Sequence, residues 1–393
     1  MANLKITLKQ CTPMIHFQSE QYGATLRATE FKPKLDKFLI KYAFKNQFNN
    51  YKYYLVGYKD GKTQKDFDGK EAFDYKLRIC NVMNLKIQEI SQHCSFYFNN
   101  IKKDNIDKNK FVICDSLDVE FFSLNKEILD IIKKYLEGFL LLTNFGFRQD
   151  KGFGSFYIVS QKSPISIIKK FNHNKKFFYI KYKNSDWKSI IDDAGIIYQL
   201  MKSGINFPDD KHDGKNKSYH KGYLFCYMKD NNIGNEKRFI KENFFEEEKR
   251  IPCDNMDKRY VRSMLGLAEG IEFKKKIEDN KIKKDKIKYS SKNIQRFKSP
   301  ILFKIIDNIL FIIPQDIPQE IFNQKFIFSQ KIGKDIIKKS IYTPTEEEFN
   351  LDDFMESFVE FFNKELEVQN VCNTLENKLK EAKKKIIKVA KNK

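Results

Sequence analysis

The stretch that decides the fold reads Asn144-Phe145-Gly146-Phe147-Arg148-Gln149-Asp150-Lys151-Gly152-Phe153-Gly154-Ser155-Phe156. Before it, the apolar residues of Asn125–Thr143 recur at helical spacing, which predicts an amphipathic helix. After it, Ser155–Ser160 is rich in aromatic and β-branched residues, which predicts a strand. The glycine-rich loop therefore leads from a helix into a strand.

This direction excludes two common nucleotide-binding motifs. Dinucleotide fingerprints and Walker loops both lead from a strand into a helix, so that the helix N-terminus faces the phosphates. What remains is a loop in which Gly152 and Gly154 offer backbone N–H groups beside the cations of Arg148 and Lys151. Such a loop suits a polyanion, but the same residues also suit a helix C-cap followed by a tight turn. The residues alone leave both interpretations open.

The N-terminal segment carries a second group of cations. Leu4–Gln10 alternates apolar and polar residues, which predicts a strand, and a helix is predicted to begin at Thr29, a suitable N-cap. Arg27, Lys32 and Lys34 cluster at the start of this helix. Cations in this position oppose the helix dipole, and a bound phosphate would offset the mismatch. Solvated side chains on an exposed turn are the alternative interpretation.

Residues 1–163 are predicted to form the first domain, which contains the glycine-rich loop 145–156. Its other strand candidates are Tyr51–Tyr58, Tyr75–Val82, Ser95–Phe98, Phe111–Cys114 and Val119–Leu124. Together with the elements above, the order becomes strand, helix, several strands, helix, strand. This order predicts a ferredoxin-like (RRM-like) βαββαβ unit with insertions.

Residues 164–345 are predicted to form a second, degenerate copy of this unit. Its candidate strands are Phe177–Tyr182, Tyr223–Met228, and the hairpin Ile301–Ile306 and Ile309–Ile313, which turns at Asp307-Asn308. Its candidate helices are Ser185–Lys202 and Asp257–Ala268. The lysine-rich segment Gly270–Lys292 is predicted to be an exposed loop or a mobile hairpin.

Residues 346–393 are predicted to be a C-terminal helical segment that ends in a basic tail. Helix packing with a solvated basic face is its expected role, and RNA contact is a secondary one. The predicted fold class is therefore α+β: two ferredoxin-like βαββαβ domains with insertions, plus C-terminal helices.

Composition limits the class of protein. The chain has 393 residues, 41% of them hydrophobic and 15% aromatic, which is enough to build folded domains. The formal net charge of +21 points to nucleic acid or an anionic surface, although an AT-rich genome would also enrich lysine. Seven scattered cysteines without a Cys-x-x-Cys pair indicate neither a disulfide framework nor a zinc knuckle. No signal peptide or membrane span is visible, which predicts a soluble cytoplasmic protein.

Three pieces of the chain resemble a known family. Gly23–Phe38 is similar to that family's Arg-x-Ser/Thr-hydrophobic-Lys/Arg-Gly-x-Leu-Arg segment after its first strand. The loop Phe145–Phe156 stands where the family has its glycine-rich loop, and Arg262–Leu267 followed by Arg296–Pro300 is similar to its second domain. On these residues the chain resembles the RAMP superfamily of CRISPR-associated proteins (repeat-associated mysterious proteins), in particular the two-domain Cmr-type subunit of type III-B effector complexes.

The resemblance implies RNA binding within a multisubunit antiviral complex, in which CRISPR RNA, and also target RNA, is held by its backbone. The partners it implies are these RNAs and other CRISPR effector subunits, with no membrane and no cofactor. The residues expected to contact RNA are Arg27, Lys32, Lys34, Arg148, Lys151, Gly152, Gly154, Arg262, Arg296 and Lys298. Phe147 and Phe153 would either stack on unpaired bases or anchor the loop in the core.

Some members of the superfamily cut RNA without a metal ion, usually with a histidine. His16, close after the first strand, is the best candidate here, with Lys34 as a charge partner. Guide-processing members usually carry the glycine-rich loop near the end of the chain, whereas it lies in the first half here, so binding is preferred over cleavage. His212, Asp213, His220 and Cys226 are too widely spaced to predict a metal site.

Three hypotheses follow. The preferred one is a noncatalytic RNA-binding subunit of a Cmr-like effector complex. The second is a metal-independent endoribonuclease that processes CRISPR guide RNA. The third is an interaction protein whose basic charge reflects only codon bias, and such a protein would not bind RNA at moderate salt.

Overall fold

The computed structural model describes residues 2–15, 25–89, 110–160, 162–172, 175–206, 219–245, 256–267, 270–276, 282–332, 335–367 and 374–390. Within them helices alternate with several β-sheets, so the predicted α+β class is confirmed. The chain forms two compact units, each assembled from separate segments. Unit 1 combines Met1–Gly195, Leu302–Ile313 and Lys388–Lys393, and unit 2 combines Ile196–Ile301 and Pro314–Ile387. The division at residues 163 and 345 that the sequence indicates stays a prediction.

The described elements have the following bounds. The strands are β1 Ala2–Gln10, β2 Met14–Ile15, β3 Lys76–Met83, β4 Lys86–Glu89, β5 Lys110–Ile113, β6 Ser116–Ser123, β7 Phe156–Tyr157, β8 Phe177–Lys181, β9 Gly204–Asn206, β10 Tyr219–Lys221, β11 Ile233–Asn235, β12 Asp257–Arg259, β13 Ile271–Lys276, β14 Ile282–Ser290, β15 Ile301–Ile306, β16 Ile309–Pro314, β17 Lys325–Ile332, β18 Asp335–Tyr342 and β19 Lys388–Ala390. The helices are α1 Ala28–Tyr42, α2 Phe48–Tyr51, α3 Lys126–Leu141, α4 Pro164–Phe171, α5 Trp187–Lys202, α6 Tyr223–Asp230, α7 Glu236–Phe244, α8 Leu351–Glu360 and α9 Thr374–Lys383.

The first sheet of unit 1 is antiparallel and has the order β3-β6-β1-β7. Leu8 of β1 lies opposite Leu117 of β6, and because side chains alternate along a strand, this register gathers the apolar residues on one face. Helices α1 and α3 pack against the sheet strands and against each other. Their buried residues complete a continuous aliphatic and aromatic core. The strand predicted at Leu4–Gln10 lies within β1, and the helix predicted over Asn125–Thr143 contains α3, so both predictions are confirmed.

The second sheet of unit 1 has the order β15-β16-β8-β19 and uses strands from distant parts of the chain. The predicted hairpin is confirmed, and it turns at Asp307, which adopts a positive φ of 47°. Every residue of β15 is buried. A parallel bridge joins Lys151 to Phe303, and Phe303 N–H donates to the carbonyl of Asp150. The surroundings of the glycine-rich loop are therefore completed by residues far downstream.

Unit 2 is built around a six-stranded sheet with the order β11-β12-β18-β17-β14-β13. Its β11–β12 and β12–β18 pairs are parallel, and the other pairs that carry a defined register are antiparallel. Tyr260, Phe326 and Phe328 form the aromatic centre of its core, and Ile240 of α7 packs onto them. This arrangement places the first turn of α7 beside the segment that follows β12.

Two predicted strands are wrong. Tyr51–Tyr58 begins as the end of α2 and continues as a 3₁₀ turn over Lys52–Tyr54. Tyr223–Met228 lies in helix α6, where Leu224, Phe225 and Met228 are buried on one side. Both segments are rich in aromatic residues, which favour strands. In the folded protein, packing of the apolar side chains on one face of a helix outweighs this preference.

Two predicted helices are also wrong in part. Asp257–Ala268 contains strand β12 and then a 3₁₀ turn over Val261–Leu265. The tail after α9 was predicted to stay helical, but Lys388–Ala390 forms β19 and pairs with β8. A sheet edge elsewhere in the fold supplied the hydrogen-bond partners, which local spacing does not reveal.

Three further segments remain, two hairpins and one predicted strand. Gly270–Lys292 contains the paired strands β13 and β14, so of its two predicted forms the hairpin is confirmed. The hairpin of β17 and β18 was not anticipated, since lysines interrupt its apolar alternation. The strand predicted at Ser95–Phe98 lies outside the described residues.

Candidate functional site

The glycine-rich loop is fastened to the first turns of α1. Lys34 Nζ contacts three acceptors there: Glu30 Oε1 at 2.6 Å, the carbonyl of Asn144 at 3.0 Å and Gln149 Oε1 at 2.6 Å. Glu30 Oε1 also accepts the backbone N–H of Gly146 at 2.9 Å. The start of α1 therefore meets the loop, and a lysine–glutamate pair makes the junction.

Several backbone N–H groups of the loop are already used within the protein. Phe145 donates to the carbonyl of Gly154, Phe147 to the carbonyl of Ile15, and Gly154 to the carbonyl of Pro13. Backbone groups that are satisfied in this way do not form an open cradle for an anion. For these positions the geometry favours the structural interpretation of the glycine pattern.

Gly154 is required by the fold. Its φ is +68°, and a Cβ at this position would lie 1.8 Å from the carbonyl oxygen of Phe145. Gly152 has φ +94° and faces the Ile305 side chain, to which a Cβ would approach within 3.2 Å. Both glycines thus permit a close backbone approach inside the protein, and their predicted role in RNA binding stays a prediction.

The two cations of the loop differ in their surroundings. Lys151 is only 8% exposed and its Nζ lies 3.0 Å from the carboxylate of Asp150. Arg148 is half-buried, adopts a positive φ of 52°, and places its guanidinium 5.3 Å from the centre of the Phe147 ring. Arg148 is therefore the better placed of the two to meet a ligand at the surface.

The predicted basic cluster of α1 is divided between two environments. Lys32 turns away from the loop and binds Asp36 at 2.8 Å and the carbonyl of Phe73 at 2.7 Å. Burial raises the pKa of the Asp36 carboxyl, and the Lys32 ammonium works against that shift. The helix N-cap is Arg27 and not the predicted Thr29, and Arg27 is half-buried one turn before Glu30.

The two phenylalanines of the loop were given two possible roles. Phe153 is fully buried and stacks on Phe111 with ring centres 5.7 Å apart, which is the core-anchoring arrangement. Phe147 is half-buried beside Arg148. Anchoring of the loop is thus the role that the packing of Phe153 supports.

Lys304 holds the far side of the loop and was not among the residues predicted from the sequence. It is fully buried, and its Nζ donates to the carbonyls of Thr143 at 2.9 Å and Phe156 at 3.0 Å, which flank the loop. Burial lowers the pKa of this lysine to about 7. A single charge within the apolar strand β15 is the signal that could have found it.

In unit 2 the predicted residues lie in two adjoining segments. The backbone N–H of Leu267 donates to the carbonyl of Phe297 at 2.9 Å, so the segments that carry Arg262 and Arg296 run side by side. Arg296 and Lys298 are exposed. The Arg262 guanidinium instead forms an ion pair with the fully buried Glu236.

Only some of the residues considered for catalysis or metal binding lie among the described residues. His16, His212 and Asp213 lie outside the described residues. His220 lies on β10 of unit 2. Among the described residues no group of three His, Cys, Asp or Glu side chains could hold a metal ion. No described helix is long and apolar enough to cross a membrane.

Fold and site together define an α+β protein in which a helix-to-strand glycine-rich loop is fixed between two sheets of unit 1. Comparison with family models then identifies it. The model of the Cmr1 N-terminal domain matches residues 1–205, and that of the Cmr1 C-terminal domain matches residues 219–384. The chain belongs to the Cmr1 family, which confirms the predicted resemblance to the two-domain Cmr-type subunit of type III-B complexes.

Among solved structures, the chain is similar to the crystal structure of Cmr1 from Pyrococcus furiosus in its apo form. The identity is 11% and the TM-score 0.42, over 81% of this chain and 90% of that chain. A comparison with curated proteins finds no match.

Proposed function

We propose that the protein is a noncatalytic RNA-binding subunit of a type III-B (Cmr) effector complex, where it contacts the backbone of guide or target RNA beside other CRISPR subunits. Membership in the Cmr1 family supports the complex. The RNA contact is proposed on the geometry of unit 1. The proposal includes a cytoplasmic role in antiviral defence.

One observation carries the RNA contact: Glu30 and Lys34 join the first turns of α1 to the glycine-rich loop. Arg27 stands one turn before this junction, and Arg148 stands two residues after Gly146. The carboxylates of Glu30 and Asp150 are matched by two lysines of the junction, Lys34 and Lys151. Arg27 and Arg148 add two guanidinium groups beside this junction, and guanidinium groups suit phosphate oxygens.

The topology supports the ferredoxin-like interpretation. In unit 1, β1, α1, β3, β6, α3 and β7 follow one another with sheet order β3-β6-β1-β7. The strands of the second sheet are arranged in the same way, since its order β15-β16-β8-β19 places its first strand in the chain between the third and the fourth. We infer that the first sheet and its helices form a βαββαβ unit interrupted by long insertions and that the second sheet repeats its strand order.

The proposal is tested by binding of labelled CRISPR repeat RNA and an unrelated single strand to the purified protein, in chelator and over a salt series. The double variant Arg27→Gln with Arg148→Asn removes both guanidinium groups, and asparagine tolerates the positive φ at the second position. If each arginine neutralises one phosphate, the slope of log K against log salt concentration falls in magnitude by about 1.4. The matched control changes Lys126 and Lys133, two exposed lysines of α3, to glutamine.

If the slope of log K against log salt concentration is unchanged in the Arg27/Arg148 variant, the proposed RNA-binding site is wrong. No RNA binding by the wild type would leave the interaction-protein hypothesis. Cutting of the repeat RNA at one position would favour the guide-processing endoribonuclease, and loss of that cutting in His16→Ala would assign the catalytic base.

A further inference from the structure

Strands β14, β17 and β18 of unit 2 have a core side and an outer side. Phe326 and Phe328 of β17 and Ile341 of β18 are buried in the core of the unit. Side chains alternate along a strand and residues opposite each other share a face, so the neighbours of these three residues point outward. The outer face consists of Lys286, Lys288, Ser290, Lys325, Ile327, Ser329, Lys331, Ile336, Lys338, Ser340 and Tyr342.

Three lysines of the outer face surround Ser329. Lys288 of β14 lies opposite Ser329, and Ser329 lies opposite Lys338 of β18, so the three residues form one row across the sheet. Lys331 stands two residues after Ser329 on β17 and projects from the same face. From the spacing of strands, the Cα atoms of Lys288 and Lys338 are about 10 Å apart, and their long flexible stems allow both ammonium groups to reach one ligand above Ser329.

The positive charge of this group is not balanced within the described part of the chain. Lys288, Lys331 and Lys338 are all exposed, and none of them forms an ion pair or a side-chain hydrogen bond with another described residue. The outer face as defined above contains neither Asp nor Glu. Lys286 lies opposite Glu272 of β13 and is therefore not counted in the group. A surface that carries one sign of charge attracts a ligand of the opposite sign.

Protection of a sheet edge is another reason for lysines on exposed strands, because they hinder pairing with a second chain. In the sheet order, β14 lies between β13 and β17, and β17 lies between β14 and β18. Lys288 and Lys331 are thus not carried by edge strands. Edge protection does not explain why these two lysines flank Ser329.

We propose that Lys288, Lys331 and Lys338 bind the phosphate backbone of single-stranded RNA, as a contact point in unit 2. The inference rests on the proposed RNA-binding function. Ammonium groups bind phosphate oxygens as point charges and accept an approach from several directions. An acidic protein is the other polyanion that this charge would attract, but protein–protein interfaces are depleted in lysine and serine, the residues that form the centre of the outer face. RNA is therefore the favoured partner.

The test uses the full chain and a triple variant that removes three charges from the outer face and leaves the core side of the sheet unchanged: Lys288→Gln, Lys331→Gln and Lys338→Gln. The matched control changes three exposed lysines of unit 2 that lie outside the outer face: Lys229→Gln, Lys339→Gln and Lys364→Gln. Lys339 is the neighbour of Lys338 on β18 and alternates to the other side of the strand. Both variants should unfold at the same urea concentration as the wild type, since exposed substitutions change stability little.

The expected effect concerns the salt dependence of RNA binding. Each lost phosphate contact lowers the magnitude of the slope of log K against log salt concentration by about 0.7 for a single strand, so the triple lysine variant should lose about 2.1. If affinities are equal at 1 M salt, binding at 0.1 M salt becomes about 100-fold weaker. A phosphate contact carries no sequence information, so CRISPR repeat RNA and an unrelated single strand should be weakened equally. The control should keep the wild-type slope.

The outcomes separate this inference from the proposed function. If RNA binding responds to the Arg27/Arg148 variant but its slope is unchanged in the triple lysine variant, the inference is overturned and the proposed function stands. If the slope falls in the triple lysine variant alone, the outer face is supported and the site proposed in unit 1 is wrong. An equal fall in the control would show attraction by net charge only and would overturn the inference.

Polyglutamate serves as the probe for an acidic protein partner. If the wild type binds no RNA, both the inference and the proposed RNA binding are wrong. Binding of polyglutamate that is lost in the triple lysine variant would then assign the outer face to an acidic protein.

Discussion

The carboxylate of Glu30 accepts the backbone N–H of Gly146 at 2.9 Å, across 116 residues of sequence. The same oxygen lies 2.6 Å from Lys34 Nζ. The glycine-rich loop therefore takes its position from an acid on α1, and Arg148 is carried by a loop that is already ordered. Such preorganisation reduces the entropy lost when a ligand binds.

Glu30→Ala should loosen this junction. The change leaves the Gly146 N–H and the Lys34 ammonium without their shared acceptor, and hydrogen bonds to charged groups contribute about 1.5–3 kcal/mol. We expect a loss of about 2 kcal/mol in the free energy of unfolding, measured by urea denaturation. Glu360→Ala, which breaks the exposed Lys364–Glu360 pair, is the control and should leave stability unchanged. Equal stabilities of the two variants would show that Glu30 does not hold the loop.

Gly154→Ala should prevent correct folding of unit 1. The new Cβ would lie 1.8 Å from the Phe145 carbonyl oxygen, a backbone atom that cannot move without displacing the loop. Gly61→Ala is the matched control, because Gly61 also has a positive φ but no atom within 4 Å of a Cβ. The control should lose only about 1–2 kcal/mol, the typical penalty of left-handed backbone for a residue with a Cβ. The comparison is made by soluble yield and thermal denaturation, and a Gly154→Ala protein as stable as the control would contradict the packing.

Lys304→Met should change how stability depends on pH. The folded pKa of Lys304 is lowered from 10.5 to about 7, so between these values the unfolded chain binds one more proton than the folded chain. Stability of the wild type therefore rises with pH in this window, by about 1.4 kcal/mol per pH unit from this group. The nearby Cys11 thiol, whose pKa burial raises to about 11, stays neutral over most of the window.

The measurement is the difference in unfolding free energy between wild type and Lys304→Met at pH 7.5 and pH 9. It should shift by about 2 kcal/mol in favour of the wild type at the higher pH. Loss of the hydrogen bonds to Thr143 and Phe156 lowers the stability of the variant by the same amount at both values and does not affect this difference. A difference that is constant with pH would mean that the folded pKa is not lowered.

Glu236→Ala should strongly destabilise unit 2. The carboxylate is fully buried against a guanidinium whose side chain is 17% exposed, and removal of one partner of a buried ion pair costs about 3–5 kcal/mol. Glu381→Ala, which breaks an exposed pair with Lys384, is expected to have no effect. Chemical denaturation of both variants checks this, and a small loss for Glu236→Ala would show that water reaches Arg262.

The sequence predicted the parts of unit 1 whose signals are local. The β1 alternation, the α3 periodicity and the hairpin at Asp307 all depend on side-chain spacing within one segment, and all are confirmed. The helix α6 and the strand β19 were missed because their packing partners lie far away in the chain. Of the candidate site, the sequence identified Lys34 and the loop as candidate residues, but it predicted neither the contact of Lys34 with Gln149 nor the diversion of Lys32 to Asp36.

By itself the sequence determined the α+β class, the family resemblance and the helix-to-strand direction of the glycine-rich loop, because each of them depends on residues that are close together in the sequence. Only the tertiary structure decided what the loop does with its donors and charges. Glu30, Pro13 and Ile15 take up its N–H groups, and Lys304 binds the carbonyls at its two ends. Buried backbone groups must be satisfied by whichever partners the fold brings near, and those partners come from segments that no local pattern connects.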